Sequence, residues 1–376
     1  MRILIATDKF KGSLSAIHAA CAMRDGFARA FPDAQIDLLP VADGGDGTMD
    51  ALLSALGGKL EFRRVTGPAG TSVEASFGLL GAGVAVVELA KGSGMALLGN
   101  RRNDPATATT FGTGELIAAA VDAGARRIIL AVGGSATNDA GAGALSALGA
   151  QFLDPTGARL PHGGVALARL AHIDISGLRR RLEGVTLDVA CDVDNPLCGP
   201  DGASAVYGPQ KGAAPETVRE LDAALERFAL VAAQTTGVDV RSVPGAGAAG
   251  GTAGGFLALA GARLRAGAEL VLEVLRFNER IGGVDLVVTG EGCLDAQSLR
   301  GKAPFGVTRA AAAAGIPAVA IAGSIPADNA QLSALGLATA ATIATGPMSL
   351  EQSTAGAAVL LSGAAERLGR AIALKI

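Results

Sequence analysis

The sequence predicts an α/β fold organised as two domains. Three observations carry this expectation. Short apolar strands alternate with amphipathic helical segments at both ends of the chain, the pattern of a parallel sheet covered on both faces. A run of strands with no helix between them breaks that alternation from Val65. The length, 376 residues, exceeds the usual reach of one hydrophobic core.

Composition narrows the function classes. Hydrophobic residues are 49% and charged residues 18%, which makes the chain globular rather than disordered. Aromatics are only 3%, so the core must be built from Val, Leu, Ile and Ala. The net charge of −3, with acids and bases interspersed, gives no electrostatic case for binding nucleic acid or a membrane surface. The start, MRILIATDKF, has too short an apolar run for a signal peptide and no small-residue cleavage site. No stretch reaches the roughly 18 uninterrupted apolar residues of a transmembrane helix. Cys21, Cys191, Cys198 and Cys293 are scattered without a C-x-x-C pair and read as reduced thiols of a cytoplasmic protein. His18, His162 and His172 show no metal-ligand spacing.

The elements follow in order. Arg2–Ala6 is the first strand, ending at Thr7-Asp8, and Lys9 to Ser13 forms a loop. Ser13 or Ser15 can cap the next helix, with Ile17, Ala20, Cys21 and Met23 on its apolar side. Lys11-Gly12-Ser13 beside a helix start suits an anion, or simply a capped helix with a solvated lysine. Ile36–Val41 is the second strand. It ends in Asp43-Gly44-Gly45-Asp46-Gly47, two acids among glycines, and Thr48–Leu56 is the helix that follows. Val65–Pro68, Val73–Leu80 and Val84–Leu89 read as hairpin-joined strands, a piece of the second domain.

Helical pattern resumes at Thr113–Gly124, and Arg127–Val132 is the next strand. It runs into Gly133-Gly134-Ser135-Ala136-Thr137-Asn138-Asp139. Such small residues can bring backbone N–H groups to phosphate, although a tightly packed turn uses the same residue types. Leu187–Cys191 is a strand ending in Asp192-Val193-Asp194. Gln210-Lys211-Gly212 precedes a clear amphipathic helix, Pro215–Thr235. Pro244–Gly251 contains G-x-G-x-x-G, but Arg241, Ser242 and Pro244 stand where a dinucleotide fingerprint needs a strand, so it reads as a flexible or tightly packed loop. Ile316–Ser324 and Ala338–Ile343 are strands, and Glu351–Ala373 is the terminal helix.

The richest stretch in chemistry is DLVVTGEGCLDAQSLRGK, residues 285–302. Leu286–Val288 reads as a buried strand that stops at Thr289, after which the flanking glycines turn the backbone and expose Glu291. Asp295, Gln297, Ser298, Arg300 and Lys302 follow. Acids at a strand's carboxyl end can hold Mg²⁺, and cations there can meet phosphate; a solvated polar loop would look the same.

Taken together, these loops resemble those of the type I glycerate kinases. The matching segments are Asp8–Ser15, Pro40–Thr48, Gly112–Leu116, Gly133–Asp139, Cys191–Leu197, Gly208–Ala213, Pro244–Gly251 and Thr289–Gly292 on through Gln297-Ser298 and Gly301-Lys302. They keep the family's order over nearly the whole chain. Asp46 stands where the family usually has Glu, and Ala140 where it usually has Gly. The resemblance implies ATP- and Mg²⁺-dependent phosphorylation of D-glycerate at the 2-hydroxyl. It also implies a Rossmann-like domain (1–64, 108–190 and 281–376), a smaller inserted mixed α/β domain (65–107 and 191–280), and an active site in the cleft between them. Asp192 and Asp295 are the candidate base or Mg²⁺ ligands, with Glu291 an alternative for either role. Asp8, Lys11, Asp43, Lys211, Gln297 and Lys302 are candidates for substrate or phosphate, with Ser135, Thr137 and Asn138 lining a phosphate loop. Phosphorylation at the 3-hydroxyl, a nicotinamide oxidoreductase resting on the 245–250 glycines, and a non-catalytic sugar-acid sensor stand as alternatives.

Overall fold

The computed structural model describes residues 1–295 and 301–374. The chain divides into two compact units. The first comprises 1–43, 50–57 and 266–376, and the second 44–49 and 58–265.

The first unit is a Rossmann-like layer structure. Its strands are β1 (Arg2–Ile5) and β2 (Gln35–Leu38), and, after the inserted unit, β11 (Leu286–Cys293), β12 (Ala318–Ser324) and β13 (Leu337–Thr342). They form a sheet in the order β13-β12-β11-β1-β2, with every pairing parallel. Ile3, Ile5 and Val288 meet Met23 and Phe27 of the helix Ala16–Ala30 and Leu361 and Ala365 of the helix Ala357–Ala373. Ser15 caps the first of these helices, its hydroxyl accepting from His18 N–H. The expected single terminal helix is two, Leu350–Ala355 and Ala357–Ala373, separated at Gly356.

The second unit is built on a mixed sheet. β3 (Lys59–Thr66), β4 (Ser72–Leu79) and β5 (Val84–Glu88) follow one another as an antiparallel meander, β4 antiparallel to both neighbours. β6 (Arg127–Ala131), β9 (Thr186–Ala190) and β10 (Arg263–Arg265) continue parallel from β5. β7 (Gln151–Leu153) and β8 (His172–Asp174) form a separate antiparallel pair. Phe77, Leu130, Phe228 and Phe256 lie in its fully buried core.

This division differs from the expected one. Residues 108–190 belong with the mixed sheet, because β6 pairs with β5 and β9 pairs with β6. The inserted unit is also the larger by chain length. Strand–helix alternation runs through both units, so periodicity alone does not say which sheet a strand joins.

β11 differs in a way that matters for chemistry. It does not stop at Val288 but continues through Cys293, with Glu291 opposite Ala322 of β12. Gly290 makes the continuation possible by leaving room rather than by turning. A Cβ there would lie 2.2 Å from Ile321 O and 2.8 Å from Met23 Cε. Gly290→Ala should therefore destabilise the fold by roughly 1–3 kcal/mol or more, since a backbone oxygen cannot swing aside. Urea unfolding checks this, and an unchanged midpoint would contradict it.

Candidate active site

Parallel register assembles the acids of the first unit. Ile5 of β1 lies opposite Val288 of β11, and the pairing continues as Ala6 N–H donates to Val288 O and Asp8 N–H to Gly290 O, at 2.7 and 2.9 Å. Three residues past each register partner stand Asp8 and Glu291. On the other side, Leu39 N–H donates to Ile5 O and Val41 N–H to Thr7 O, so the strand ahead of Asp43 runs level with Asp8. Three carboxylates from distant parts of the sequence thus end on one edge of the sheet.

Electrostatics follow from that placement. Asp8 is buried, and its carboxyl is pushed up to about 8, first by burial and then by the Asp43 carboxylate, with Glu291 adding to it. Lys9 pulls the other way: its N–H donates to Asp8 Oδ1 at 2.6 Å, and its charge favours the ionised form. Lys302 approaches both Glu291, at 3.7 Å, and Asp295, at 3.9 Å. It stands at the N-cap position of the helix Ala303–Ala313 without a side-chain capping bond, and the proline in that helix's first turn needs no N–H partner. Lys11 is exposed, in the turn between Phe10 and Leu14 rather than in a helical first turn. Gln297 lies outside the described residues.

The second unit carries the other predicted residues. Gly134 is exposed and Gly133 half-buried, with Ser135 buried behind them. Thr137, Asn138 and Asp139 are wholly enclosed, the first two being residues expected to line a phosphate loop. Asn138 donates to Ser204 Oγ at 2.9 Å. Asp139 accepts from Thr110 N–H and Oγ1–H and from the N–H groups of Gly141 and Gly143. Burial still pushes its carboxyl up against those bonds. Ala140, where the family usually has glycine, holds a left-handed φ of 52°.

Lys211 is enclosed as well, only 4% exposed. Its ammonium donates to Thr137 O at 2.7 Å, and burial lowers it to about 7 despite the Asp139 carboxylate. Asn103 ties the same region together, donating to Ala136 O and Lys211 O. Lys211 therefore holds the loop from behind, where the sequence suggested a ligand contact. Asp192 is exposed just past β9.

The 245–250 glycines are absorbed by packing. A Cβ on Gly250 would lie 2.1 Å from Thr137 O, and one on Gly247 2.3 Å from Pro196 O. Gly250 O accepts from Ala140 N–H. Backbone amides pressed against protein offer no berth for a pyrophosphate, which removes the basis of the nicotinamide alternative.

Two residues escaped the sequence reading. Glu88, at the end of β5, is buried and accepts from Met49 N–H at 2.9 Å. A carboxylate closing the apolar run VAVV was the available signal. Asn103 carried none, because its partners are remote in sequence.

These features can be set beside known proteins. The glycerate kinase family model matches residues 3–373. The chain belongs to the glycerate kinase family. It is 47% identical to a glycerate kinase of Bacillus subtilis (strain 168), over 100% of this chain and 98% of that one. It is likewise 47% identical to the glycerate 2-kinase of Escherichia coli (strain K12), over 87% of this chain and 86% of that protein. A crystal structure from Salmonella typhimurium LT2 superposes with a TM-score of 0.91 at 43% identity, covering 100% of this chain and 99% of that one. Family membership makes the protein a kinase. No described helix is long and apolar enough to cross a membrane.

Lys211→Met should cost about 1–3 kcal/mol of stability, because a buried carbonyl loses its charged donor. Urea unfolding reads this. A variant of normal stability with only a raised KM for one substrate would instead place Lys211 on a ligand.

Proposed function

We propose that the protein transfers the γ-phosphoryl group of ATP to the 2-hydroxyl of D-glycerate, with Mg²⁺, in the cytoplasm. The observation that carries this reading is the gathering of Asp8, Asp43 and Glu291 at registered strand ends, with Lys302 alongside, in a chain of the glycerate kinase family. The name of the E. coli relative, glycerate 2-kinase, supports the choice of hydroxyl.

The chemistry needs an acceptor for the hydroxyl proton, cations for substrate and phosphates, and a fixed approach. A general base works best with a pKa near the operating pH but accepts a proton only when ionised, so Asp8, held at about 8, suits the role through the ionised fraction that grows as the pH rises toward that value. Glu291 is the second carboxylate suited to the role. Lys302 and Lys11 are the cations suited to the glycerate carboxylate or a phosphate. The backbone of half-buried Gly133 and exposed Gly134 is suited to phosphate oxygens.

The donor set fits Mg²⁺. It is all oxygen, and among the described residues no three His, Cys, Asp or Glu side chains close around a metal. Mg²⁺ commonly takes one or two carboxylates and completes its shell with water and substrate phosphates. Asp295 or, as the alternative, Asp192 is suited to supply one. When bound, the ion neutralises charge on the phosphates as the γ-phosphoryl group moves.

Purified protein with ATP, Mg²⁺ and D-glycerate should yield ADP and 2-phosphoglycerate, identified by phosphorus NMR. Omitting Mg²⁺ should stop turnover. A 3-phosphoglycerate product would overturn the position alone. Stabilisation by glycerate with no turnover would overturn the kinase reading in favour of a sensor.

A further inference from the structure

The second unit has a pocket that none of the residues discussed so far explains. Its volume is about 320 Å³, and it is lined by Phe62 and Ser76 of the β3–β4 hairpin, by Ala90 and Lys91, and by Ala96 and Leu97. Phe62 is 56% exposed, and every other phenylalanine is buried or half-buried, in a chain with no Trp and one Tyr. An edge-strand aromatic in open view costs hydration unless something flat covers it. The walls are mostly apolar, and Asp46, Glu74 and the Ser76 hydroxyl are the acceptors among the lining side chains. A purine offers two flat apolar faces and an exocyclic amine that donates, which this combination suits.

The pocket shares a wall with the Gly133–Ser135 loop. The segment Leu89–Leu98 supplies Ala90, Lys91, Ala96 and Leu97 to the pocket. The same segment is fastened to the loop, because Met95 N–H donates to Gly134 O at 3.0 Å and Gly94 bridges Ser135. A Cβ on Gly134 would come within 3.3 Å of the Ala90 methyl. Gly134 itself is exposed, with a left-handed φ of 69°. An apolar slot for a base thus adjoins a glycine-rich strand end whose Gly134 is exposed, with Lys91 in the shared wall.

We propose that this pocket seats the adenine ring of the nucleotide against Phe62, with the phosphates directed along Lys91 to Gly133–Ser135. This rests on the kinase reading and assigns the nucleotide to the second unit. Stacking on an aromatic is worth about 1–3 kcal/mol per base, which is on the order of tenfold in affinity.

The experiment compares wild type with Phe62→Ala and Ala96→Trp, both changes at exposed positions. ADP binding is measured by calorimetry without glycerate, KM values are measured for ATP and D-glycerate, and Tm controls for folding. Both variants should weaken ADP roughly tenfold or more and raise KM for ATP to match, with Tm and the KM for D-glycerate as in wild type. ADP affinity unchanged in both variants overturns the pocket while leaving the kinase reading intact. A raised KM for D-glycerate alone also overturns it, by giving the pocket to the other substrate. Wild type that binds ADP in this pocket but never turns over glycerate supports the pocket and sinks the kinase reading, so the two failures are separable.

Discussion

The parallel register of β1 with β2 and β11 is the constraint on which the first unit's chemistry depends. Once Ile5 lies opposite Val288 and Leu38, the positions of Asp8, Asp43 and Glu291 are fixed by chain geometry alone. Parallel strands have no freedom to slip here, because Ile3, Ile5 and Val288 must all keep facing the helices that cover them. The acids are therefore held together against their mutual repulsion by the burial of aliphatic side chains. The repulsion shows in Asp8, which burial and Asp43 keep far above the ordinary carboxylate range. Such a site is maintained against its own electrostatics, a common mark of functional positions.

The second unit solves a different problem. Its Gly133–Asp139 loop offers backbone at the surface while enclosing three polar side chains behind it. The fold meets part of their need from far away: Ser204 accepts from the Asn138 amide, Thr110 donates to Asp139, and Lys211 and Asn103 donate to carbonyls, while Thr137 Oγ1 and Asn138 Oδ1 stay buried with no hydrogen-bond partner. Gly250 lets another backbone approach Thr137 closely enough to lock the loop from below. Rigid support from behind keeps the Gly133–Gly134 backbone from reorganising, which is the condition the proposed phosphate contact would require.

Much of this was legible in the sequence. Glycines and acids marked the loops after β1, β2, β6 and β9, because turns at the carboxyl ends of buried strands leave local signatures, whereas Thr289–Gly292 belongs to β11 itself. Thr48–Leu56 and Pro215–Thr236 match helical patterns read from spacing alone. Non-local facts were harder to read. Gly290 looked like a turn, and only its neighbour Ile321 shows that it is a gap for packing. Lys211 sits among glycines like a ligand-binding lysine, and its acceptor Thr137 is 74 positions away. The membership of 108–190 was misplaced for the same reason: sheet partners are chosen by the fold, while periodicity records only that a strand exists.

The central claim is that registered strand ends force Asp8 to retain its proton near neutrality, and the direct measurement is a carbon-13 NMR titration of the Asp8 carboxyl in the ligand-free protein. The account predicts a midpoint at about 8, moving down when Asp43 is replaced by Asn, while remaining elevated because burial is the larger cause. A midpoint near the ordinary value of 3.8, indifferent to Asp43, would contradict it.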